Sequence, residues 1–405
     1  MKIKLGVIFG GESVEHEVSI ISAIQAMNKM DSEKYEIIPI YIAKNREWYT
    51  GESLKDIDTF QDIDLLKRYC KNVVLYAKNG RFVLQNKKGL FKRVVKEIDI
   101  VFPIVHGTNV EDGTLQGYLQ SIGVPYVGGD VYASVVGQDK IYMKQIFKAE
   151  NLPIADYIWF YDSEYQDDSE EIIKKIEHLK YPVIVKPCLL GSSVGISVAK
   201  DKEELREAID TAISYDNRIV VEKVVENLME VNISVLGNYE NYQLSAIEQV
   251  IPKSAFLTYE DKYIGGGKTK GKNGMKYKSS KGMVSTDRII PAPLEDKLKE
   301  KIEEIAIDAC KALKTSGVVR IDFLVDTKTN KPYINEINNI PGSLSFYLWE
   351  PIGKEYSELL DDLVNIGIKD YKHRTMKTHS FDTNILKGFS EFGSKGSKGV
   401  KFLRK

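Results

Sequence analysis

The chain has 405 residues, 43% of them hydrophobic, and a formal net charge of −1 at pH 7. This length and apolar content predict two to three domains with proper hydrophobic cores. The balanced charge argues against a strong field toward nucleic acid or a membrane, and no apolar run approaches the ~18 residues that a membrane-spanning helix requires.

The N-terminal region begins with the pattern of a strand, a glycine turn and a helix. Residues 3–9 form an apolar run that predicts a buried strand ending at Gly10-Gly11. Ser13 to Ser19 then supply polar, helix-starting residues ahead of apolar residues with helical spacing. This order suggests a Rossmann-like domain, although the full GxGxxG motif is missing. Apolar runs at 37–42 and 98–105 predict further strands of the same unit.

A hairpin is predicted between these strands, around Asn79-Gly80, and we expect it to be scaffold. The N-terminus lacks the long apolar region and small-residue cleavage site of a signal peptide. Cys70, Cys188 and Cys310 are far apart and have no CxxC spacing. We therefore expect reduced thiols in a cytoplasmic protein rather than disulfides or a zinc site.

The middle of the chain predicts a smaller α+β unit that contains a Gly/Ser-rich loop. Residues 184–187 end an apolar run, and Gly191-Ser192-Ser193-Val194-Gly195 leads into the next one. Strand-like sequence on both sides predicts a hairpin that closes over phosphates, whereas a Walker loop opens a helix. The Walker motif itself is absent, because Gly267-Lys268-Thr269 has Lys262 where the first glycine should be.

The C-terminal unit contains a second predicted hairpin. Two alternating apolar runs, 317–326 and 331–338, flank the polar segment 327–330, so they predict paired strands. Residues 294–313 predict a helix of the same unit.

Oxygen donors of this hairpin predict a magnesium platform. Asp322, Glu336 and Asn338 come close together when the two strands pair. Mg²⁺ prefers one or two carboxylates together with substrate phosphates. Arg320 is a fixed cation suited to an oxyanion or phosphoryl group. For an isolated pair of acids, solvated turn residues are the better interpretation, so this prediction depends on the other motifs.

Two segments carry no fold signal. The insert 264–286 has six lysines and no acid. A nucleic-acid patch is one interpretation, but Tyr277 is its only aromatic residue, so we favour an extended, flexible lid. The tail 373–405 is rich in Lys, Gly and Ser, and we expect a mobile end rather than a domain or an anion-binding arm.

Taken together, the motifs resemble the ATP-grasp enzymes and, within them, the D-alanine–D-alanine ligase family. The resemblance covers roughly residues 1–370. The motifs occur in family order, and they are residues 10–19, His106-Gly107, residues 111–117, the Gly191 loop, residues 259–263 and the two metal-binding strands.

This resemblance implies an ATP-grasp fold, of mixed α/β and α+β class, with an N-terminal Rossmann-like domain. It divides the chain into residues 1–128, 129–221 and 222–372, followed by the tail. It implies ATP-dependent ligation of two D-amino acids, most simply two D-alanines, through an acyl phosphate for peptidoglycan synthesis. ATP and Mg²⁺ are expected, with two ions or Mn²⁺ as options, in a homodimer that binds no nucleic acid or membrane.

The resemblance also implies the residues that contact ATP. Glu222 would accept from the adenine amine, Glu230 would bind the ribose hydroxyls, and Lys223 and Val225 would line the hinge. The remaining expected contacts reach the triphosphate, and they are Lys140, Lys186, Ser193 and, when its loop closes, Lys262.

Substrate binding begins, by the same resemblance, at Glu15, which would pair with an amino group and connect through Ser192 to Tyr263. A carboxylate in the first turn of a helix also complements the helix dipole. Tyr263 is intact, which favours an amine as the second substrate. Arg320 and the Gly342 amide would stabilise the oxyanion of the tetrahedral intermediate.

Three further positions bear on the second substrate. His106 would lie beside the pocket, although a structural histidine is an equal alternative. Tyr347 stands where the family has a serine that holds the second substrate's carboxylate, and Ser345 would substitute if the turn shifts. Two other functions therefore stay open: a carboxylate–amine ligase with a different second substrate, and a non-catalytic nucleotide-binding regulator.

Overall fold

A computed structural model describes residues 2–62, 66, 68–87, 93–251 and 287–380. Its first sheet has seven strands in the order β6-β5-β4-β3-β2-β1-β7. The strands are β1 (Ile3–Gly10), β2 (Tyr35–Ile42), β3 (Trp48–Thr50), β4 (Lys71–Lys78), β5 (Arg81–Asn86), β6 (Val94–Ile98) and β7 (Ile100–Pro103).

The N-terminal strand lies at the parallel side of this sheet. β1 pairs in parallel with β2 and β7, and α1 (His16–Lys29) follows it, as the glycine-turn pattern predicts. Gly10 has φ +89°, and a Cβ there would collide with the Ile42 carbonyl oxygen, so only glycine fits this turn. The predicted hairpin around Asn79-Gly80 is confirmed as β4 and β5. The predicted strand 98–105 is shorter in the structure. The extended backbone is interrupted at residue 99, between the end of β6 and the start of β7, and β7 ends at Pro103.

The second sheet has four strands in the order β10-β9-β11-β8. They are β8 (Tyr157–Tyr161), β9 (Val183–Pro187), β10 (Ser197–Ala199) and β11 (Arg218–Lys223). The Gly/Ser loop joins β9 to β10, and Ser197 pairs antiparallel with Val185, which confirms the predicted hairpin. Helices α5 (Asp162–Asp167), α6 (Ser169–Glu177) and α7 (Lys202–Ile213) belong to the same segment of the chain.

The third sheet has five antiparallel strands in the order β14-β13-β12-β15-β16. They are β12 (Leu228–Asn238), β13 (Asn241–Ile251), β14 (Asp287–Ile289), β15 (Gly317–Asp326) and β16 (Lys331–Asn338). The last two have the limits predicted from the alternating runs. Helix α8 (Asp296–Leu313) packs its apolar face into the core of this sheet, and it begins two residues later than predicted.

The other described helices link these sheets. They are α2 (Thr114–Ile122), α3 (Val131–Gln138), α4 (Lys140–Ala149), α9 (Tyr356–Thr375) and the 3₁₀ segments Glu52–Lys55, Ile57–Phe60, Gly342–Leu348 and Glu350–Ile352. Residues from the 3₁₀ segment after Pro341 and from the first half of α9 share a hydrophobic core with the first sheet. The described residues as far as Ile368 form one compact unit, and those from Lys369 belong to a second. The division at residues 128 and 221 stays a prediction.

Three further expectations concern the whole chain. Cys70, Cys188 and Cys310 are all free and buried, as expected for reduced thiols. Among the described residues, no helix is both long and apolar enough to cross a membrane. The tail prediction needs one correction, because α9 continues to Thr375, and residues 381–405 lie outside the described ranges.

Candidate active site

A cavity of about 340 Å³ is lined by the Gly/Ser loop and by the second and third sheets. A smaller cavity of about 70 Å³ shares Glu15, Ser192 and Arg320 with it. The predicted ATP contacts that line the larger cavity are Lys186, Ser193, Glu222, Lys223, Val225 and Glu230. Most of the predicted site residues therefore meet in one place.

One row of side chains across the third sheet carries three of the six acids that line this cavity. Strand register places Glu248 opposite Asn232, Asn232 opposite Asp322, and Asp322 opposite Glu336. All four line the larger cavity, and we call them the central row. Because side chains alternate along a strand, Arg320 lies on the same face, two residues from Asp322. The sheet thus brings acids and one guanidinium together.

Asp322 already has a cationic partner in the folded chain. Arg320 donates from Nε to Asp322 Oδ1 at 2.6 Å and from Nη2 to Oδ2 at 2.7 Å, and both side chains are mostly buried. Asn338 Nδ2 lies 3.3 Å from Asp322 Oδ2. A two-point pair of this kind fixes the carboxylate and the guanidinium in one plane. Arg320 is therefore held beside the predicted metal ligands.

The donor set of the hairpin fits a hard divalent cation. Within the described ranges, no group of three His, Cys, Asp or Glu side chains is arranged as a metal site. The predicted ligands, Asp322, Glu336 and Asn338, are two carboxylates and one amide, which is the set that Mg²⁺ uses when phosphate oxygens and water complete its shell. Carboxylate oxygens have more than one lone pair, so the pair with Arg320 leaves room for a cation.

A buried ionic triad borders the cavity through Glu222 and Lys186. Glu222 has its two oxygens 3.2 Å from Lys144 Nζ and 3.1 Å from Lys186 Nζ, and all three side chains are buried. Burial opposes ionisation of Glu222, but the two lysines outweigh it and hold its pKa below the usual value. Lys186 Nζ also donates to Asn335 Oδ1 at 3.0 Å. The carboxylate predicted to contact adenine thus also positions Lys186.

The Gly/Ser loop connects the second sheet with the N-terminal segment. Ser192 donates a short hydrogen bond to Glu15 Oε1, and Lys140 Nζ donates to the Leu190 carbonyl at 2.7 Å. Gly107 permits this arrangement, because a Cβ there would lie 2.8 Å from Glu15 Oε2. The predicted Glu15–Ser192 contact is present. Its predicted continuation to Tyr263 lies outside the described residues, as do Lys262 and the insert 264–286.

His106 and Glu111 form the buried end of the smaller cavity, which Lys140 and Gly342 also line. His106 Nδ1 is 2.8 Å from the Ile340 carbonyl, and Nε2 is 3.0 Å from Ser22 Oγ. Burial lowers the pKa of His106 to about 4 and raises that of Glu111 to about 8. Both ring nitrogens have protein partners, so the structural alternative describes His106 better than a role in protonation.

We expect His106→Asn to weaken the acid sensitivity of folding. The folded chain holds the pKa of this imidazole near 4, against 6.5 for an exposed histidine. The unfolded chain therefore binds more protons between these values, so stability falls as pH decreases from 6.5 to 4, by about 3 kcal/mol in full. Urea unfolding at pH 7 and pH 5 would show a smaller difference in the variant. His178 is exposed, so His178→Asn should keep the wild-type difference in unfolding free energy between the two pH values. An equal difference in both variants would contradict the lowered pKa of His106.

Ser345 and Tyr347 are the two positions predicted to hold the carboxylate of the second substrate. Ser345 is buried, and its hydroxyl has no hydrogen-bond partner among the described residues. Tyr347 donates to Glu248 Oε1 at 3.1 Å. Neither side chain belongs to the described lining of either cavity, and the contact with a substrate carboxylate stays a prediction.

Several polar residues of the site were not predicted, among them Lys144, Glu248, Asn335 and Arg288. Lys144 follows Lys140 by one helical turn in α4, which is a signal that the sequence contains. Glu248 follows the core residue Ile247 along β13 and therefore faces the opposite side of the sheet, as a cavity-lining residue would. Asn335 and Arg288 have no such local signal, because only the sheet order places them here.

Two family models match the chain. One, described as D-ala D-ala ligase N-terminus, matches residues 4–129, and one described as D-ala D-ala ligase C-terminus matches residues 146–365. A D-alanine–D-alanine ligase of Thermosipho melanesiensis is 41% identical over 388 residues, which are 95% of this chain and 98% of that protein.

Solved structures agree with these matches. The D-alanine–D-alanine ligase of Coxiella burnetii superposes with a TM-score of 0.75 at 28% identity, covering 93% of this chain and 96% of that one. The VanG D-Ala:D-Ser ligase of Enterococcus faecalis gives a TM-score of 0.73 at 29% identity, with 91% and 100% covered. The likeness therefore extends over almost the whole length of both structures.

Proposed function

We propose, because this chain belongs to the D-alanine–D-alanine ligase family, that it uses ATP to join two D-alanines into D-alanyl-D-alanine for peptidoglycan synthesis. Its fold is the ATP-grasp fold with an N-terminal Rossmann-like domain, as expected from the sequence. The observation that carries the proposal is the pairing of Asp322 with Glu336 in a cavity that Lys186 also lines. Acids and a buried lysine that line one cavity suit a metal-bound polyphosphate.

The chemistry has two stages. A carboxylate is a poor acceptor for an amine, because oxide would have to leave. Transfer of the terminal phosphoryl group of ATP to the first D-alanine gives an acyl phosphate and ADP. The amino group of the second D-alanine then attacks the carbonyl carbon, and phosphate departs. The protein must therefore hold three anionic partners close together and exclude water.

Each stage uses residues that the fold has already positioned. Lys186 and Lys140 offset the triphosphate charge, and the Glu222 carboxylate keeps Lys186 oriented when no ATP is bound. Asp322, Glu336 and Asn338 would hold Mg²⁺, which, when bound, neutralises charge on the phosphoryl oxygens. Arg320, fixed by Asp322, faces the developing oxyanion.

Glu15 would bind the amino group of the first D-alanine. Its carboxylate is held by Ser192 and borders both cavities, so it lies between the nucleotide side and the N-terminal segment. An ammonium group would pair with it directly. Two expected properties, the homodimer and the cytoplasmic location, stay predictions.

Mass spectrometry of products would test the proposal. The purified chain would be incubated with ATP, magnesium and a mixture of D- and L-amino acids. We expect D-alanyl-D-alanine, ADP and phosphate in equal amounts. A dipeptide with another second residue would support the alternative carboxylate–amine ligase. Nucleotide binding without phosphate release would support the non-catalytic regulator.

A further inference from the structure

The hydroxyl of Tyr347 supports a neighbouring side chain that lines the larger cavity. Its hydroxyl donates to Glu248 Oε1 at 3.1 Å, and Asn232 Nδ2 donates to the same oxygen at 2.9 Å. Burial, helped by the charge of Glu248, raises the pKa of Tyr347 to about 12, so the phenol keeps its proton at neutral pH. The protonated hydroxyl of Tyr347 therefore donates its hydrogen bond to a carboxylate of the protein itself.

Arg288 contacts both Glu248 and Tyr347. It comes from the short edge strand β14, and its Nη1 is 3.3 Å from Glu248 Oε2. Its guanidinium carbon is 4.6 Å from the centre of the Tyr347 ring, which is the distance of a cation–π contact. Unlike Tyr347, Arg288 lines the larger cavity. Glu248 and Tyr347 thus fix the orientation of a guanidinium at the cavity wall.

Two guanidinium groups consequently border the same cavity. Arg320 and Arg288 repel each other electrostatically, and both are attracted to Glu248. Each also has an acid close by, Asp322 for Arg320 and Glu248 for Arg288. A pair of fixed guanidiniums favours an anion with planar oxygens, because their N–H donors match a carboxylate at two points.

We propose that Arg288 binds the carboxylate of the second amino acid, and that Glu248 and Tyr347 are positioning residues for it. The inference rests on the proposed function and deepens it. The site would select an amine that carries a carboxylate over one that carries a neutral amide. The phosphates of ATP are the other anions in the reaction. The test therefore distinguishes binding of the carboxylate by Arg288 from binding of the phosphates.

A competition between two acceptors would test this assignment. Wild-type protein would receive ATP, magnesium, D-alanine and D-alaninamide, and mass spectrometry would give the ratio of D-alanyl-D-alanine to D-alanyl-D-alaninamide. We expect Arg288→Gln to lower this ratio tenfold or more, with the KM for ATP unchanged. Arg288→Lys keeps a charge opposite Glu248 and should give an intermediate ratio, which covers the case in which Arg288→Gln does not fold.

Two further variants complete the design. Tyr347→Phe keeps the ring under the guanidinium, so its ratio should stay within about threefold of wild type, since one neutral hydrogen bond contributes little. Arg81→Gln removes an exposed guanidinium in the N-terminal hairpin and should change nothing. A larger fall in Tyr347→Phe than in Arg288→Gln would overturn the proposal in favour of the tyrosine.

Other outcomes would also overturn it. A raised KM for ATP at an unchanged product ratio would assign Arg288 to the phosphates. An unchanged ratio and KM in a folded Arg288→Gln would leave it a structural ion pair, while the proposed function would stand because dipeptide still forms. Absence of any dipeptide from the wild-type protein would reject both the function and the inference.

Discussion

Glu336→Gln is expected to lower turnover with D-alanine by about 100-fold at limiting magnesium while the protein stays folded. The change removes one negative charge from the central row and keeps the shape of the side chain. Even outer-shell changes at metal sites cost about 10- to 100-fold in metal affinity or activity, and a direct ligand should cost at least as much. Glu336 is partly exposed at the cavity, so folding does not depend on its charge.

A magnesium titration would check this result. Turnover of Glu336→Gln should recover in part as magnesium increases, because the weakened site fills by mass action. Glu207→Gln, on the exposed face of α7, removes the same charge away from the cavity and should behave as wild type. Equal turnover of the two variants at every magnesium concentration would remove Glu336 from the metal site.

The second large effect is expected from Glu222→Gln, which should destabilise the fold by about 3–5 kcal/mol. The substitution leaves the buried ammonium groups of Lys144 and Lys186 without a counter-charge, and an unpaired buried charge costs about this much. Lys144 Nζ also lies 5.7 Å from the centre of the Tyr157 ring. This cation–π contact would offset only a small part of the stabilisation lost with the carboxylate.

An exposed carboxylate with the same number of partners provides the control. Glu170 contacts both Lys202 and Arg206, but at the surface. Glu170→Gln should therefore change the free energy of unfolding far less than Glu222→Gln, because water screens the charges of an exposed pair. Urea and thermal unfolding of the two variants would measure the difference. Similar losses of unfolding free energy in both variants would show that burial does not determine how strongly Glu222 stabilises the fold.

Local patterns in the sequence were enough to predict the elements that carry the metal ligands. Strands 317–326 and 331–338 have their predicted limits, because alternation and a polar turn determine a hairpin within about twenty residues. Counting back from the turn in a regular hairpin would place Asp322 opposite Asn335, and a register shift between Asp322 and Phe323 places it opposite Glu336 instead. The loop between β9 and β10 was predictable for the same reason.

Partners from distant segments were not predictable in this way. Glu222 appears in the sequence as one acid beside Lys223, and only the tertiary fold brings Lys144 of α4 within 3.2 Å of it. Burial then makes Glu222 the counter-charge of two lysines away from water, so that losing it leaves buried charges unpaired. The adenine role predicted from resemblance concerns the same carboxylate and stays a prediction.

The second-substrate region shows the limit most clearly. Counting along the sequence motif predicted that Tyr347 contacts the substrate. Its position in the motif cannot show which protein groups its side chain contacts. The third sheet places Glu248 beside Tyr347, and β14 then brings Arg288 over both. Chain composition, hairpins and motif order are properties of neighbouring residues, so the sequence by itself determined them. The central row, the buried triad and the guanidinium at the cavity wall depend on strand order and long-range packing, so only the tertiary structure decided them.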